Sequence, residues 1–74
     1  MPTIDLTATG VNIGVLMKRN GFSAADVADR MGFSSRNAVY KWLKGEALPT
    51  LDNILILADL LGVTVEEILV ITRS

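Results

Sequence analysis

The sequence predicts an all-α domain of five short helices. Apolar residues recur at helical spacing in five successive segments, and a glycine or a proline separates each segment from the next. No strand-like alternation of useful length is present. Because 74 residues supply material for one compact core, we expect residues 1–74 to form a single domain, with 1–8 as an N-terminal extension.

Helices 1 and 2 are predicted from their caps and the glycines that follow them. Helix 1 runs from about residue 10 to residue 20, with Thr9 as its N-cap and Gly21 after its end. Helix 2 begins after Ser23, whose hydroxyl can cap the first turn while Asp26 lies three residues on. It ends at Gly32.

Helix 3 is predicted over about residues 35–44, and helices 4 and 5 over about residues 51–72. Pro49 disfavours helix at the residue before it, and Thr50 can cap helix 4. A Thr-x-x-Glu capping box at Thr64 starts helix 5, which is predicted to continue through Ile71. The inward stripe of helix 4 is predicted to be Leu51, Ile54, Leu55, Ala58 and Leu61.

Helices 2 and 3, over about residues 23–45, satisfy the physical requirements of a helix-turn-helix. Two helices that cross through a short turn need a small residue where they approach and a glycine that can adopt positive φ. Ala28 and Gly32 supply these. Apolar residues that lock the pair together are Val27, Met31, Phe33, Val39 and Trp42. Such a pair lets the second helix enter the major groove of DNA.

The charge distribution fits a nucleic-acid interface better than the net charge of -1 does. Residues 18–44 contain six basic and two acidic side chains, whereas the remainder contains one basic and six acidic side chains. This asymmetry is typical of a protein that presents one face to a polyanion. The alternative is chance unevenness among fifteen charges.

Several function classes are disfavoured by composition. The chain has no Cys and no His, and no paired-carboxylate or phosphate-binding motif with suitable spacing. We therefore expect that the protein is not an enzyme and that it binds no cofactor and no metal ion. No stretch is long and apolar enough for a membrane span, and no signal peptide is recognisable, so we expect a cytoplasmic protein that does not contact a membrane.

Four motifs in order resemble the phage repressor/Cro family, also called the XRE family. They are Val-Ala-Asp-Arg-Met-Gly, Val-Tyr-Lys-Trp-Leu-Lys-Gly, Leu-Pro-Thr-Leu and Leu-Leu-Gly-Val-Thr-Val-Glu-Glu-Ile-Leu, and the resemblance covers about residues 12–70. It implies a compact five-helix, lambda-repressor-like fold, DNA binding through helix 3 and frequent dimerisation through the C-terminal helix. Six residues separate Gly32 from Val39, one more than is usual in the family, which shifts the expected base contacts by up to one position.

Eight side chains are predicted to bind DNA. Arg36 can donate two hydrogen bonds to guanine or can contact phosphate, and Asn37 can read adenine or help to cap helix 3. Lys41 can contact a base or a phosphate, or serve solubility alone. Ser34 and Ser35 can donate to phosphate or cap the helix, and Lys44 can contact phosphate or interact with the helix dipole. Ser23 can bind phosphate together with the free amides at the start of helix 2, and Tyr40 can stack on a sugar or bond a phosphate. Trp42 is assigned to the core.

The partners expected from the sequence are a near-palindromic double-stranded operator and a second copy of the chain. The chain would act as a repressor that excludes polymerase. An apolar surface on helices 4 and 5 is predicted to form the dimer interface: Ile56, Leu57, Leu60, Val70 and Ile71. Two alternatives remain open. Residues 1–8 can fold back over this surface, or the surface can bind another protein, as in an antitoxin-like or accessory subunit.

Overall fold

The computed structural model describes residues 1–73, which form five helices and one two-stranded antiparallel sheet. The elements are β1 (Pro2–Ile4), α1 (Leu6–Arg19), α2 (Ala24–Arg30), α3 (Asn37–Lys44), α4 (Leu51–Leu61), α5 (Val65–Ile68) and β2 (Ile71–Arg73). The five predicted helices and the predicted order are confirmed. None of the helices within residues 1–73 has the length and hydropathy to cross a bilayer.

The sheet was not expected from the sequence. β1 pairs with β2 in the register Pro2 with Arg73, Thr3 with Thr72 and Ile4 with Ile71. The ladder continues beyond the strands, since the Asp5 N–H donates to the Val70 carbonyl oxygen over 2.8 Å. Strands of three residues give almost no periodic signal, and these two pair across nearly the whole chain. The prediction that no strand is present, and that helix 5 continues to Ile71, was wrong.

The start of α1 also differs from the prediction. The helix begins at Leu6, and its N-cap is Asp5, whose carboxylate accepts from the Ala8 N–H over 2.9 Å. Thr9, the predicted cap, is fully buried within the helix. Its Oγ1 accepts a hydrogen bond from the Val70 N–H over 2.9 Å. Thr9 therefore joins α1 to the segment before β2, and does not mark where the helix starts.

The core includes Val27, Val39 and Trp42 as predicted, but the inward face of α4 differs from the prediction. Leu57 is 0% exposed, whereas Leu51 and Leu55 are 83% and 62% exposed. The inward face of α4 is formed by Ile54, Leu57, Ala58 and Leu61. The prediction that Leu51 and Leu55 face inward was wrong. The prediction that Leu57 belongs to an exposed interface was wrong as well, because this side chain lies in the core.

α1 is packed directly against the backbone at the end of α3. A Cβ atom placed on Gly10 would overlap the carbonyl oxygen of Trp42 and would lie 2.8 Å from the carbonyl oxygen of Leu43. Only a glycine permits two helices to approach this closely. On another side of α1, the Asn12 amide nitrogen donates to the carbonyl oxygens of Glu67 and Ile68, over 2.8 and 2.9 Å. α1 therefore holds both α3 and the C-terminal end of α5.

Candidate nucleic-acid interface

The start of α2 is closed by a reciprocal capping box. The Asp26 N–H donates to the Ser23 hydroxyl over 3.1 Å, and the Ser23 N–H donates to the Asp26 carboxylate over 2.9 Å. The pKa of Asp26 lies below its ordinary value, chiefly because of the hydrogen bond from the Ser23 backbone N–H, with smaller contributions from the Ser23 side chain and the charge of Arg30. The predicted capping role of Ser23 is confirmed. The capping box engages the N–H and the hydroxyl of Ser23 itself, and phosphate binding at the start of α2 stays a prediction.

The turn between α2 and α3 is long and places three polar residues at the surface. Gly32 adopts φ +75°, as the sequence predicted. α3 begins at Asn37, two residues later than expected, and Arg36 is its N-cap with no side-chain capping bond. The Ser35 hydroxyl accepts from the Asn37 N–H over 3.4 Å. The extra residue between Gly32 and Val39 therefore lengthens the turn.

The underside of α3 is anchored in the core. Val39 and Trp42 are buried, and the rings of Trp42 and Phe33 pack edge to face with their centroids 5.8 Å apart. Because Phe33 lies in the turn, this contact fixes the turn to the helix. The assignment of Trp42 to the core is confirmed. Gly45 ends the helix in a left-handed conformation.

The opposite face of α3 is exposed and carries four of the predicted DNA-binding residues. Asn37, Tyr40, Lys41 and Lys44 are all exposed, and their spacing of three and four residues places them on one side of the helix. Arg36 is exposed immediately before the helix. Eight residues at 1.5 Å each make α3 about 12 Å long, a length that the major groove of B-DNA accommodates.

An open groove of about 400 Å³ lies between α2 and the start of α3. It brings together five of the eight predicted DNA-binding residues: Ser34, Ser35, Arg36, Asn37 and Tyr40. The remaining lining residues are Ala25, Ala28, Asp29 and Phe33. The rim can donate hydrogen bonds through a guanidinium, an amide and hydroxyl groups. Ser23, Lys41 and Lys44 do not line the groove.

Two features of this surface were missed by the sequence analysis. Asp29 lines the groove, where its carboxylate can accept a hydrogen bond but repels phosphate. Asp29 lies on the exposed side of α2, opposite the buried residues Val27 and Ala28. A helical projection of the sequence would have shown this position. The Arg30 guanidinium lies over the Phe22 ring, 4.8 Å from its centroid. No signal in the sequence predicts this contact.

The residues predicted to form a dimer interface have different environments. Ile56 and Ile71 are exposed, Leu60 and Val70 are half-buried, and Leu57 is in the core. The N-terminal extension does fold back, but as β1 against β2, and it leaves Ile71 51% exposed.

The comparisons with known proteins define the class. A helix-turn-helix family model matches residues 15–68, most of the chain. The chain therefore belongs to the helix-turn-helix family of the XRE type, whose members are DNA-binding regulators rather than enzymes.

Solved structures show the same fold. The restriction-modification controller protein C.AhdI from Aeromonas hydrophila is similar with a TM-score of 0.77 and 30% identity, over 86% of this chain and 96% of that chain. The DNA-binding domain of BldD is similar with a TM-score of 0.74 and 22% identity, over 89% of this chain and 94% of that one. The S. venezulae BldD DNA-binding domain gives the same TM-score and identity, over 89% and 97%. No curated protein matches the sequence.

Proposed function

We propose that the chain represses transcription by binding a near-palindromic DNA operator as a homodimer in the cytoplasm. The observation that carries the proposal is the exposed outer face of α3, joined to the polar rim of the groove and held by a buried underside. α3 enters the major groove, and bound operator excludes polymerase. The similarity to a restriction-modification controller protein supports a regulatory role.

Two residues supply base recognition in this proposal. Arg36 has a planar guanidinium that can donate to O6 and N7 of guanine together, and Asn37 can exchange two hydrogen bonds with adenine. Both side chains are exposed, and both line the groove. The Asn37 amide makes no hydrogen bond to another residue of the described chain, so it is available to a base.

The other residues position the protein on the phosphate backbone. Lys41 and Lys44 lie on the outer face of α3, and Ser34, Ser35 and Tyr40 lie at the groove. Contacts to phosphate orient a protein on the duplex without reading its sequence. Ser23 belongs to this set at the start of α2, where its own N–H donates to the Asp26 carboxylate and a phosphate would meet the amides of the next residues.

The test begins with selection of bound sequences from random duplexes at two salt concentrations. It should yield a near-palindromic site with half-sites one helical turn apart, and the salt dependence should report the number of neutralised phosphates. Arg36→Ala should cost about 1–3 kcal/mol on the selected site and relax discrimination at one base pair. Arg36→Lys is the matched control: it keeps the charge but loses the two-pronged donor, so discrimination should fall while the salt dependence is retained.

Lys44→Ala supplies the contrast to the base-reading variants. It should weaken binding to selected and random DNA equally, and should lower the slope of the salt dependence by about 1. If all three variants lost the same affinity on selected and random duplexes, α3 would not be the reading helix.

A protein-binding role is the second candidate, favoured by the exposure of Leu51 and Leu55 on α4, 83% and 62%. Asp52 and Asp59 flank these side chains on the helix surface, which would suit a partner with basic residues around an apolar centre. Sedimentation of the pure protein distinguishes the roles. A monomer at all concentrations that fails to select any DNA sequence would support the second candidate against the first.

A further inference from the structure

The outer edge of β2 is open and able to pair with another strand. In an antiparallel ladder, successive residue pairs alternate between exchanging hydrogen bonds and pointing their N–H and C=O groups away from each other. The Asp5 N–H donates to the Val70 carbonyl. The alternation then makes Thr3 and Thr72 the hydrogen-bonded pair of the sheet. The N–H and C=O groups of Ile71 and Arg73 consequently point outward, and no third strand covers them within residues 1–73.

The outer edge of β1 is much less suitable for pairing. Its outward positions are Pro2 and Ile4, by the same alternation. Proline has no N–H, so this edge offers one donor where the edge of β2 offers two. The two edges of the sheet are therefore unequal, and β2 carries the competent one.

We propose that β2 pairs antiparallel with β2 of a second copy, about a two-fold axis at Thr72, to form a four-stranded sheet. Two identical strands in antiparallel pairing are related by such an axis, so one edge is complementary to itself. Ile71 then faces Arg73 of the second copy at both ends of the pair, and each of these two pairs exchanges two hydrogen bonds. The inference rests on the homodimer proposed above, but not on its contact with DNA.

The register follows from the neighbouring residues. A pairing centred on Arg73 would set two arginines directly opposite each other, which is unfavourable. A pairing centred on Ile71 would need the Leu69 N–H, which already donates to the Val65 carbonyl oxygen over 3.2 Å. Only the pairing centred on Thr72 uses all three residues of β2 and sets no like charges opposite each other.

The side chains of the resulting sheet are also compatible with this register. One face carries a row of four threonines, Thr3 and Thr72 of each copy, and Thr–Thr pairs across strands are favourable. The other face carries Ile4 and Ile71, which are 40% and 51% exposed in the single chain. A lone two-stranded ribbon is only marginally stable in water, and two more strands would reinforce it.

Single cysteines test the register directly, because the chain contains no other cysteine. Thr72 and its copy form the non-hydrogen-bonded pair at the axis, with Cα atoms about 4.5 Å apart, a distance that suits a disulfide. Thr72→Cys should therefore form a disulfide-linked dimer under mild oxidation. Thr3→Cys is the matched control on the same face. It lies three strand spacings from its copy, about 14 Å, and should remain unlinked.

Hydrogen exchange on the unmodified protein gives a second, independent measurement. The Ile71 and Arg73 amides should become protected as the protein concentration rises, while the outward Ile4 amide exchanges freely at every concentration. Equal linkage of the two cysteine variants, or free exchange of all three amides in a protein that sediments as a dimer, would overturn the proposed pairing. Either result would leave the DNA-binding proposal intact. Conversely, a disulfide-linked dimer of Thr72→Cys in a protein that selects no DNA sequence would contradict only the DNA-binding proposal.

Discussion

Replacing Gly10 by alanine should destabilise the protein, whereas the same replacement one helical turn later, at Gly14, should not. Both residues lie in α1, where alanine is favoured over glycine by up to about 1 kcal/mol. Their surroundings differ. A Cβ at Gly10 would overlap the Trp42 carbonyl oxygen and lie 2.8 Å from the Leu43 carbonyl oxygen, whereas a Cβ at Gly14 would meet only the Leu43 side chain at 3.5 Å, an ordinary contact.

The magnitude follows from what must move. Backbone carbonyls cannot rotate away as a flexible side chain can, so α1 and α3 must separate. Overpacking of this kind costs about 1–3 kcal/mol, which outweighs the gain in helix propensity. Since about 1 kcal/mol corresponds to roughly 4–8 °C in a domain of this size, Gly10→Ala should lower the Tm by several degrees and Gly14→Ala should hold or raise it.

Circular dichroism during urea and thermal unfolding measures both variants, and Trp42 fluorescence reports the environment next to the substituted residue. Gly10→Ala should also weaken operator binding, because the displaced backbone belongs to α3. Equal stability of the two variants, or a gain at Gly10, would refute the reasoning that close backbone contact positions α3.

Two further predictions concern burial and pH. Leu57→Ala should lower the free energy of unfolding by about 2–5 kcal/mol, because this side chain is buried in the core. Leu55→Ala, on the exposed side of the same helix, should change it by less than about 0.5 kcal/mol. Urea titration of both variants measures the difference, and similar losses would contradict the orientation of α4. Because the folded-state pKa of Asp26 is lowered, its ionised form stabilises the capping box above the unfolded-state pKa, and this contribution is lost as the pH falls through the folded-state value. Asp26→Asn should therefore weaken the dependence of the urea midpoint on pH below about 4, relative to the unchanged chain, and an identical dependence in both proteins would contradict the role assigned to Asp26.

The parts of the fold that local signals specify were predicted well. Ser23 and Thr64 cap their helices as expected, and Gly32 adopts the positive φ that the turn requires. These features depend on residues within one turn of each other, so the sequence alone contains the information. The underside of α3 was also predicted, since Val39 and Trp42 are the apolar residues on one side of a helix with polar residues on the other.

The errors arose where distant contacts decide the structure. Thr9 is a residue type that often caps helices, but its hydroxyl accepts a hydrogen bond from the Val70 N–H, 61 residues further along the chain. α4 contains so many leucines and isoleucines that more than one apolar stripe fits its sequence, and only packing selects the one that contains Leu57. At the candidate site, Arg36 and Asn37 line the groove together with Asp29, which the sequence analysis did not assign to this surface.

The position of α1 between α3 and the C-terminal segment has a mechanical consequence. α1 touches the backbone of α3 at Gly10, and through Thr9 and Asn12 it is bonded to the residues that lead into β2. In a dimer joined at β2, the distance between the two copies of α3 would be fixed by α1, because this helix connects α3 rigidly to the segment that leads into β2. Such a molecule would reject operators whose halves are moved apart by a single base pair, even when every contacted base is retained.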